Sequence, residues 1–228
     1  MLLDSVLYDS HGFECEVATE EVVNKTKTYL AGHMLDAGAV MRREWEAEQL
    51  RKAGANLHVP HEDKSINDKA NAVQEGLAER IVENDTKGII DSDIIVIDAH
   101  ENGKGTLVEL GQIKGMRDMA KIILDINRSF EERHEQEGDW ATYRDMAMDE
   151  LDAVYEAAET VLEKKVYAHN TDIRRANSHP QAGDRREYGP NQYVYGTVLD
   201  LTNNNGFYTW EEIMKGVSEH VSKGKVQD

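Results

Sequence analysis

The chain has 228 residues, enough for one domain with a full hydrophobic core and room for a helical appendage. Hydrophobic residues make up 39% and charged residues 31%, and no run of about 18 apolar residues could span a bilayer. With 44 acidic against 26 basic residues, the formal charge of -18 disfavours nucleic acid polymers and anionic membranes, and it favours small molecules or proteins as partners.

The first 24 residues show no sustained hydrophobic period, and we interpret them as an N-terminal extension without a chemical role. No basic and apolar leader is recognisable there. Cys15 is the only cysteine of the chain, so an intrachain disulfide is impossible. These features predict a cytoplasmic protein whose residues 25–228 form a single domain.

The domain begins with a predicted strand, turn and helix. The apolar run 27–31 ends at Gly32, and Asp36 is placed as the N-cap of an amphipathic helix that continues to Gly54. Its expected inner face carries Val40, Met41, Ala47 and Leu50. Residues 55–60 then resemble a second short strand, which leads into a polar loop.

A long amphipathic helix and a buried strand follow. Apolar residues spaced by three or four predict one helix that ends near Gly88: Ile66, Ala70, Val73, Leu77 and Ile81. The β-branched run 93–98 is typical of a strand covered on both faces of a parallel sheet. A glycine-rich turn and another helix come next. This alternation predicts an α/β fold with a doubly wound, mostly parallel sheet, Rossmann-like or flavodoxin-like, and a binding crevice at the carboxyl ends of its strands.

A charged helical segment interrupts the alternation. Residues 116–163 predict one or two amphipathic helices, broken near Glu137 and Gly138, and we interpret them as a helical insertion. The run 165–169 resumes the strand pattern, and 193–201 is apolar again. A last helix is predicted for 209–220, with Trp210, Ile213 and Val217 on its inner face.

Two carboxylates stand out at positions where ligands are expected. Glu109 follows the glycine-rich turn after the most buried strand, and it is predicted to lie in the first turn of a helix, where an anion is favoured. It is either a nucleophile or a capping residue. Asp85 continues the apolar line of the preceding helix and should therefore point inward, where it could serve as an acid, unless it lies at a solvent-facing helix end.

The motifs Tyr29-Leu-Ala-Gly32 and Gly105-Thr-Leu-Val-Glu109-Leu-Gly111, with Asp85 eight residues before Asp93, together resemble the nucleoside 2-deoxyribosyltransferase family. Asn191 and Tyr195 resemble a later asparagine motif of that family. The resemblance covers about residues 25–115 and 164–200. It leaves the extension and the helical insertion unexplained.

The resemblance implies the exchange of nucleobases on 2'-deoxyribose through a covalent deoxyribosyl-glutamate. Glu109 is the implied nucleophile, Asp85 the acid and base at the nucleobase, and Tyr29 the residue that holds the nucleophile. Deoxynucleosides and free nucleobases, or deoxynucleotides, are the implied substrates, with no metal and no other cofactor. Asn191 corresponds to a residue contributed by a neighbouring subunit, which implies a homo-oligomer with shared sites. The further expected substrate-binding residues are Gly32, His33, Asp98, Asn102, Gly105, Asn191 and Tyr195.

Departures from the family pattern leave alternatives open. Gly103 stands where many members carry an aspartate, and Asp98, Glu101 or Asn102 could replace it. A basic cluster could meet a 5'-phosphate or only neutralise the acidic surface: Arg174, Arg175, Arg185 and Arg186. An N-glycosidase acting on deoxynucleoside 5'-monophosphates is therefore the alternative enzyme, and a nucleotide-binding or scaffolding module is the non-enzymatic one. The cluster of His58, His61, Glu62 and Asp63 matches no common metal motif, so a solvated loop is the preferred interpretation.

Overall fold

The computed structural model describes the strands Leu7–Tyr8 and Glu14–Cys15 and residues 26–64, 73–137, 141–172 and 191–224. Within these residues the strands are β1 (Leu7–Tyr8), β2 (Glu14–Cys15), β3 (Lys27–Ala31), β4 (Asn56–His58), β5 (Ile94–Asp98) and β6 (Lys165–His169). The helices are α1 (Ala37–Lys52), α2 (Leu77–Asp91), α3 (Lys104–Glu137), α4 (Ala141–Glu163), α5 (Gln192–Leu201) and α6 (Trp210–Gly224), with a 3₁₀ turn at Pro60–Glu62.

Four of the strands form a parallel sheet in the order β4-β3-β5-β6, and β1 pairs with β2 in an antiparallel hairpin. The first strand of the sheet thus lies inside it, and the chain moves outward in one direction and then in the other. This is the doubly wound arrangement, and the predicted α/β fold is confirmed. The carboxyl ends of β3 and β5 are neighbours, so the segments that follow Ala31 and Asp98 meet at one edge.

Alternate residues of the central strands supply the two faces of the core. Tyr29, Ala31, Ile95 and Ile97 point to the face covered by α2, α3 and α5. Leu30, Ile94 and Val96 point to the opposite face, where Ala47 and Leu50 of α1 and Ile213 and Val217 of α6 lie. The inner face predicted for α1 is wrong at Met41, which is 68% exposed. Arg43 and Glu46 are buried there as an ion pair, which hydropathy patterning does not anticipate.

Two predictions about helices are corrected by the structure. The single helix expected from Ile66 to Gly88 is wrong, because α2 begins only at Leu77, after Gly76 with a φ of +64°. Residues 65–72 lie outside the described residues, and Val73 is exposed. Glu109 is the sixth residue of α3 and lies in its second turn, so the prediction of a first-turn position is also wrong. Its carboxylate is held by the Tyr29 side chain.

α3 and α4 lie where the helical insertion was expected, and they pack against each other. α3 already begins at Lys104, so the helix that carries Glu109 continues into this pair without a break. In the part of the chain that the structure describes, no helix is long and apolar enough to cross a membrane.

Candidate active site

A cavity of about 460 Å³ lies at the carboxyl ends of β3 and β5, on the side of the sheet that α2 and α3 cover. Six residues that the sequence singled out line its wall: Gly32, His33, Asp85, Asn102, Gly105 and Glu109. They come from the turn after β3, from α2 and from the turn and first residues of α3. The fold thus brings together residues that are up to 77 positions apart in the chain.

Glu109 presents its carboxylate to this cavity with one oxygen held by the protein. The Tyr29 hydroxyl donates a hydrogen bond of 3.1 Å to Glu109 Oε1. Among the described residues, Glu109 Oε2 has no hydrogen-bond partner, so one oxygen is left for a ligand. Burial, together with the nearby charge of Asp85, raises the pKa of Glu109 to about 7, and the Tyr29 hydrogen bond opposes that rise.

Tyr29 lies behind the nucleophile candidate rather than in the cavity wall. Its position in β3 points the ring to the α2 side of the sheet, and the side chain is fully buried. Burial and the carboxylates of Glu109 and Asp85 raise the pKa of Tyr29 above its ordinary range, so the phenol stays protonated and remains a donor. Its fixed ring can therefore hold Glu109 in one orientation.

Asp85 lines the same cavity from the middle of α2, since that helix continues to Asp91. The alternative that Asp85 lies at a solvent-facing helix end is therefore wrong. Burial raises the pKa of Asp85, while the nearby His58 and Asn84 side chains lower it. Asp85 Oδ1 is buried and finds no hydrogen-bond partner among the described residues. The cavity thus holds two carboxyl groups that are both biased toward the protonated form.

A buried ionic cluster supports the turn after β3. The Arg43 guanidinium donates to the Ala31 carbonyl at 3.2 Å and to Asp98 Oδ2 at 3.1 Å, and it pairs with Glu46 at 2.6 Å. It passes so close under Gly32 that a Cβ at Gly32 would lie 2.6 Å from its Cζ atom. A side chain at Gly32 would have to displace this guanidinium from its hydrogen bonds, which explains the glycine at that position.

Asp98 is occupied by protein groups and faces a different cavity. Besides Arg43, the Thr171 hydroxyl donates to Asp98 Oδ2 at 2.7 Å and the Thr171 amide donates to Oδ1 at 3.1 Å. Asp98 is fully buried and lines a larger cavity, of about 700 Å³, on the α1 and α6 side of the sheet. Its role as a substrate ligand stays a prediction. In the structure, its carboxylate joins the end of β5 to α1 through Arg43 and to the segment after β6 through Thr171.

The two cavities meet at His33, Arg43 and Asn102, which line both. The His33 and His100 rings lie 4.3 Å apart at this boundary. The larger cavity also contains His169, whose burial lowers its pKa to about 3 and keeps the imidazole neutral. Neither Glu109 nor Asp85 lines the larger cavity, so these two carboxylates come together in the smaller one.

Gly103 occupies a tight position beside the nucleophile candidate. A Cβ there would lie 3.3 Å from the His100 carbonyl oxygen, from His33 Cβ and from Thr106 Cβ. His33 and Thr106 occupy part of the space that an aspartate side chain at position 103 would need, so these neighbours would have to shift to admit it. By contrast, a Cβ added to Gly105 would have no atom within 4 Å, so the cavity wall is open at that position.

The residues of the later motif lie elsewhere. Asn191 is the N-cap of α5, where its side chain accepts a hydrogen bond of 2.8 Å from the Tyr193 amide. Tyr195 stacks on Phe207 at 5.7 Å between ring centroids. Neither residue lines the cavity with Glu109. The arginine cluster, with Asn177 and Ser178, lies outside the described residues.

Comparison with solved structures finds similar chains, and two of them align with most of this one. A conserved protein from Enterococcus faecalis V583 has 18% sequence identity and a TM-score of 0.47; the alignment covers 86% of this chain and 98% of that chain. The 2-deoxyribosyltransferase from the psychrotolerant bacterium Bacillus psychrosaccharolyticus has 15% identity and a TM-score of 0.41, with 83% and 90% of the two chains covered. No protein-family model and no curated protein matches the chain.

Sequence reasoning missed three residues around the site. Arg43 was unmarked, although Glu46 three residues later is a helical ion-pair spacing. His58 lies in β4, within the short strand predicted for residues 55–60, but the solvated environment preferred for its side chain is wrong because its ring stacks on Tyr29. His61 was also assigned to a solvated loop, but it lines the cavity that contains Glu109. Among the described residues, no group of three or more His, Cys, Asp or Glu side chains is placed to hold a metal ion.

Proposed function

We propose that the protein exchanges nucleobases on 2'-deoxyribose and that Glu109 is the nucleophile. The observation that carries this proposal is the carboxylate itself: Tyr29 holds one oxygen, and the other is without a partner among the described residues, in a cavity that Asp85 also lines. A glycosyl transition state has oxocarbenium character, so it requires an anion near the anomeric carbon and an acid at the departing base.

In the first half-reaction the Glu109 carboxylate attacks C1' of a deoxynucleoside. The bond between C1' and the base nitrogen breaks, and an ester bond forms between C1' and a Glu109 oxygen. The leaving base takes the bonding electron pair, and Asp85 donates a proton to it. The free base then leaves, while the deoxyribosyl group stays on the enzyme.

In the second half-reaction another base attacks C1' of the deoxyribosyl ester. The ester bond breaks, its electron pair returns to the Glu109 carboxylate, and Asp85 takes the proton of the incoming base. Both side chains are then in their starting states. The same residues serve both directions, as microscopic reversibility requires.

Burial raises the pKa of both carboxyl groups, and the charge of Asp85 contributes to the rise of the Glu109 pKa to about 7. The reactive state has Glu109 ionised and Asp85 protonated. The Tyr29 hydroxyl favours that state because it donates to the Glu109 carboxylate and so stabilises its charged form.

Hydrolysis of deoxynucleoside 5'-monophosphates is a second candidate, in which water takes the place of the second base. Gly103 favours it, since this residue offers no side-chain oxygen to a sugar hydroxyl at the position where transferases of the resembled family often have an aspartate. Lys104 lines the cavity and could meet a 5'-phosphate. The two reactions share Glu109 and Asp85 and differ in the acceptor.

The experiment combines a product assay with a search for the ester. A deoxynucleoside is incubated with a different free base, and a deoxynucleoside monophosphate is incubated without acceptor. A swapped nucleoside supports the transferase, and free base released from the monophosphate supports the hydrolase. Mass spectrometry after incubation with a slow 2-fluoro deoxynucleoside should find the sugar on the peptide that contains Glu109.

Two variants make this experiment specific. Glu109→Gln should lose activity by several orders of magnitude and should form no adduct, because an amide cannot act as the nucleophile. Glu83→Gln, an exposed change on α2, should retain activity and adduct formation. Full activity in Glu109→Gln, or an adduct elsewhere in the chain, would contradict the assignment.

The proposed assembly is a homo-oligomer in which Asn191 of one subunit reaches the sugar site of another. Its support is that Asn191 does not line the cavity of its own chain and that its side chain makes only a capping contact among the described residues. If the assembly is correct, mixing inactive Glu109→Gln with inactive Asn191→Ala subunits should restore part of the activity. No recovery in mixed oligomers would count against shared sites.

A further inference from the structure

A glycine in the last turns of α2 lies against the two rings that support Glu109. Gly88 is buried, and a Cβ added to it would lie 2.7 Å from the Cδ2 and Nε2 atoms of His58 and 3.0 Å from Tyr29 Cε2. Real Cβ atoms are essentially never found as close as the first of these distances. Any side chain at Gly88 must therefore displace His58, Tyr29 or both.

The backbone does not demand glycine at this position. Gly88 lies within a regular helix and is not among the glycines with positive φ. A glycine inside a helix costs about 0.5 to 1 kcal/mol relative to alanine, so its lack of a side chain needs another reason. The contact with the two rings provides that reason.

Tyr29 and His58 form one braced pair. They are partners in the register of β3 and β4, so both side chains leave the sheet side by side. Their rings are stacked, 5.4 Å between centroids and 16° between planes. α2 closes over the pair at Gly88. The Tyr29 ring is thereby held between the sheet, the His58 ring and the helix, with its hydroxyl 3.1 Å from Glu109 Oε1.

The end of α2 is anchored, so the helix cannot simply move away from a larger residue. The Ser92 hydroxyl donates to the Gly88 carbonyl at 2.8 Å. The buried ammonium group of Lys164 donates to the carbonyls of Ile90 at 2.7 Å and of Ser92 at 2.6 Å. An added methyl group would therefore act mainly on the rings.

We propose that Gly88 and His58 are positioning residues for Glu109: the glycine leaves the space in which the His58 ring braces Tyr29, and the braced Tyr29 hydroxyl orients the nucleophile. This inference rests on the proposed function of Glu109. Neither Gly88 nor His58 lines the cavity that contains Glu109, so neither touches the substrate. Both act on Glu109 through Tyr29, and His58 also interacts electrostatically with Asp85.

Gly88→Ala tests the inference, with Gly115→Ala as its matched control. Gly115 is also helical, on α3, and has no atom within 4 Å of an added Cβ. In Gly88→Ala, kcat for base exchange should fall about tenfold to hundredfold, the range expected when a catalytic group is misplaced by about 1 Å, whereas KM should change little. Gly115→Ala should keep both constants.

A second readout does not depend on turnover. Loss of the Tyr29 hydrogen bond should raise the pKa of Glu109 further, since that bond is the interaction that lowers it. Carbon-13 NMR of labelled glutamate carboxyl groups, assigned with Glu109→Gln, measures this pKa directly. A purely structural role for Gly88 would lower stability but leave the titration of Glu109 unchanged. A folded Gly88→Ala protein with the kcat and the Glu109 titration of the wild type would overturn the inference.

Substitutions at His58 carry the test if Gly88→Ala does not fold. His58→Ala removes the brace and should lower kcat, and His58→Phe restores a ring and should recover most of the loss. Equal losses in the two variants, or wild-type kcat in His58→Ala, would overturn the bracing role. If the wild-type protein exchanges and hydrolyses no nucleoside, the proposed function fails, and the NMR titration of the Gly88 and His58 variants still decides whether these residues position Glu109.

Discussion

Replacing Glu109 with glutamine should stabilise the fold at alkaline pH while it abolishes catalysis. Burial and the charge of Asp85 raise the pKa of Glu109 from an ordinary value of 4.5 to about 7. A group whose pKa is raised on folding contributes stability below its unfolded pKa and loses that contribution as the pH rises through the folded value. At about 1.4 kcal/mol for each pH unit, the gap corresponds to about 3 kcal/mol.

Glutamine carries no charge at any of these pH values, so the Glu109→Gln protein does not lose this stability as the pH rises. Its free energy of unfolding should match that of the wild-type protein near pH 4. Between about pH 4.5 and 7 the variant should become progressively more stable than the wild type, and above that range the difference should stay constant at up to about 3 kcal/mol. Urea unfolding followed by circular dichroism at a series of pH values measures both curves. The value is an upper bound, because the cavity admits water to part of the carboxylate.

The exposed Glu83→Gln variant serves as the control, and it should differ from the wild-type protein by less than about 0.5 kcal/mol throughout. A difference between Glu109→Gln and wild type that is the same at pH 4 and pH 8 would refute the reasoning. It would mean that Glu109 titrates in the folded protein as it does in the unfolded chain.

Three further outcomes follow from the same contacts. Asp85→Asn removes the charge that raises the pKa of Glu109, so the acidic limb of the pH profile of kcat/KM should move to lower pH, while kcat falls about 10² to 10⁴-fold with the loss of the acid. Tyr29→Phe removes the hydrogen bond that lowers the same pKa, so the acidic limb should move to higher pH; a shift in the other direction would contradict the observed contact. Gly32→Ala places a Cβ 2.6 Å from the Arg43 guanidinium and should lower the free energy of unfolding by about 1 to 3 kcal/mol in urea titrations, and an unchanged midpoint would show that Arg43 can move aside.

Much of the sheet could be predicted because each of its strands is marked by the composition of its own segment. The apolar runs that became β3 and β5 differ from their surroundings in composition and end at glycine-rich turns. Parallel strands covered by helices require this pattern, so the crevice at their carboxyl ends followed from the order of the elements. Asp85 was found because a carboxylate on an inward-facing position is unusual, and Glu109 because it follows a glycine-rich turn near the start of a helix.

The start of α2 shows where local reasoning failed. Val73 continues the apolar period of the following helix, but Gly76 adopts a left-handed conformation and the helix begins only after it. Periodicity gives the side of a helix that faces the core, while its ends depend on backbone conformation and capping. The first turn of α3 was misplaced for the same reason.

The sequence by itself determined the parallel sheet, the crevice and the two carboxylates, since each depends on the identity and spacing of neighbouring residues. Only the tertiary structure decided that Tyr29 meets Glu109, that Arg43 passes beneath Gly32, and that Gly88 leaves room for His58. These contacts join residues 11 to 80 positions apart, and their distances are set by how strands and helices pack. A pattern within one segment contains no information about a partner that packing brings from another.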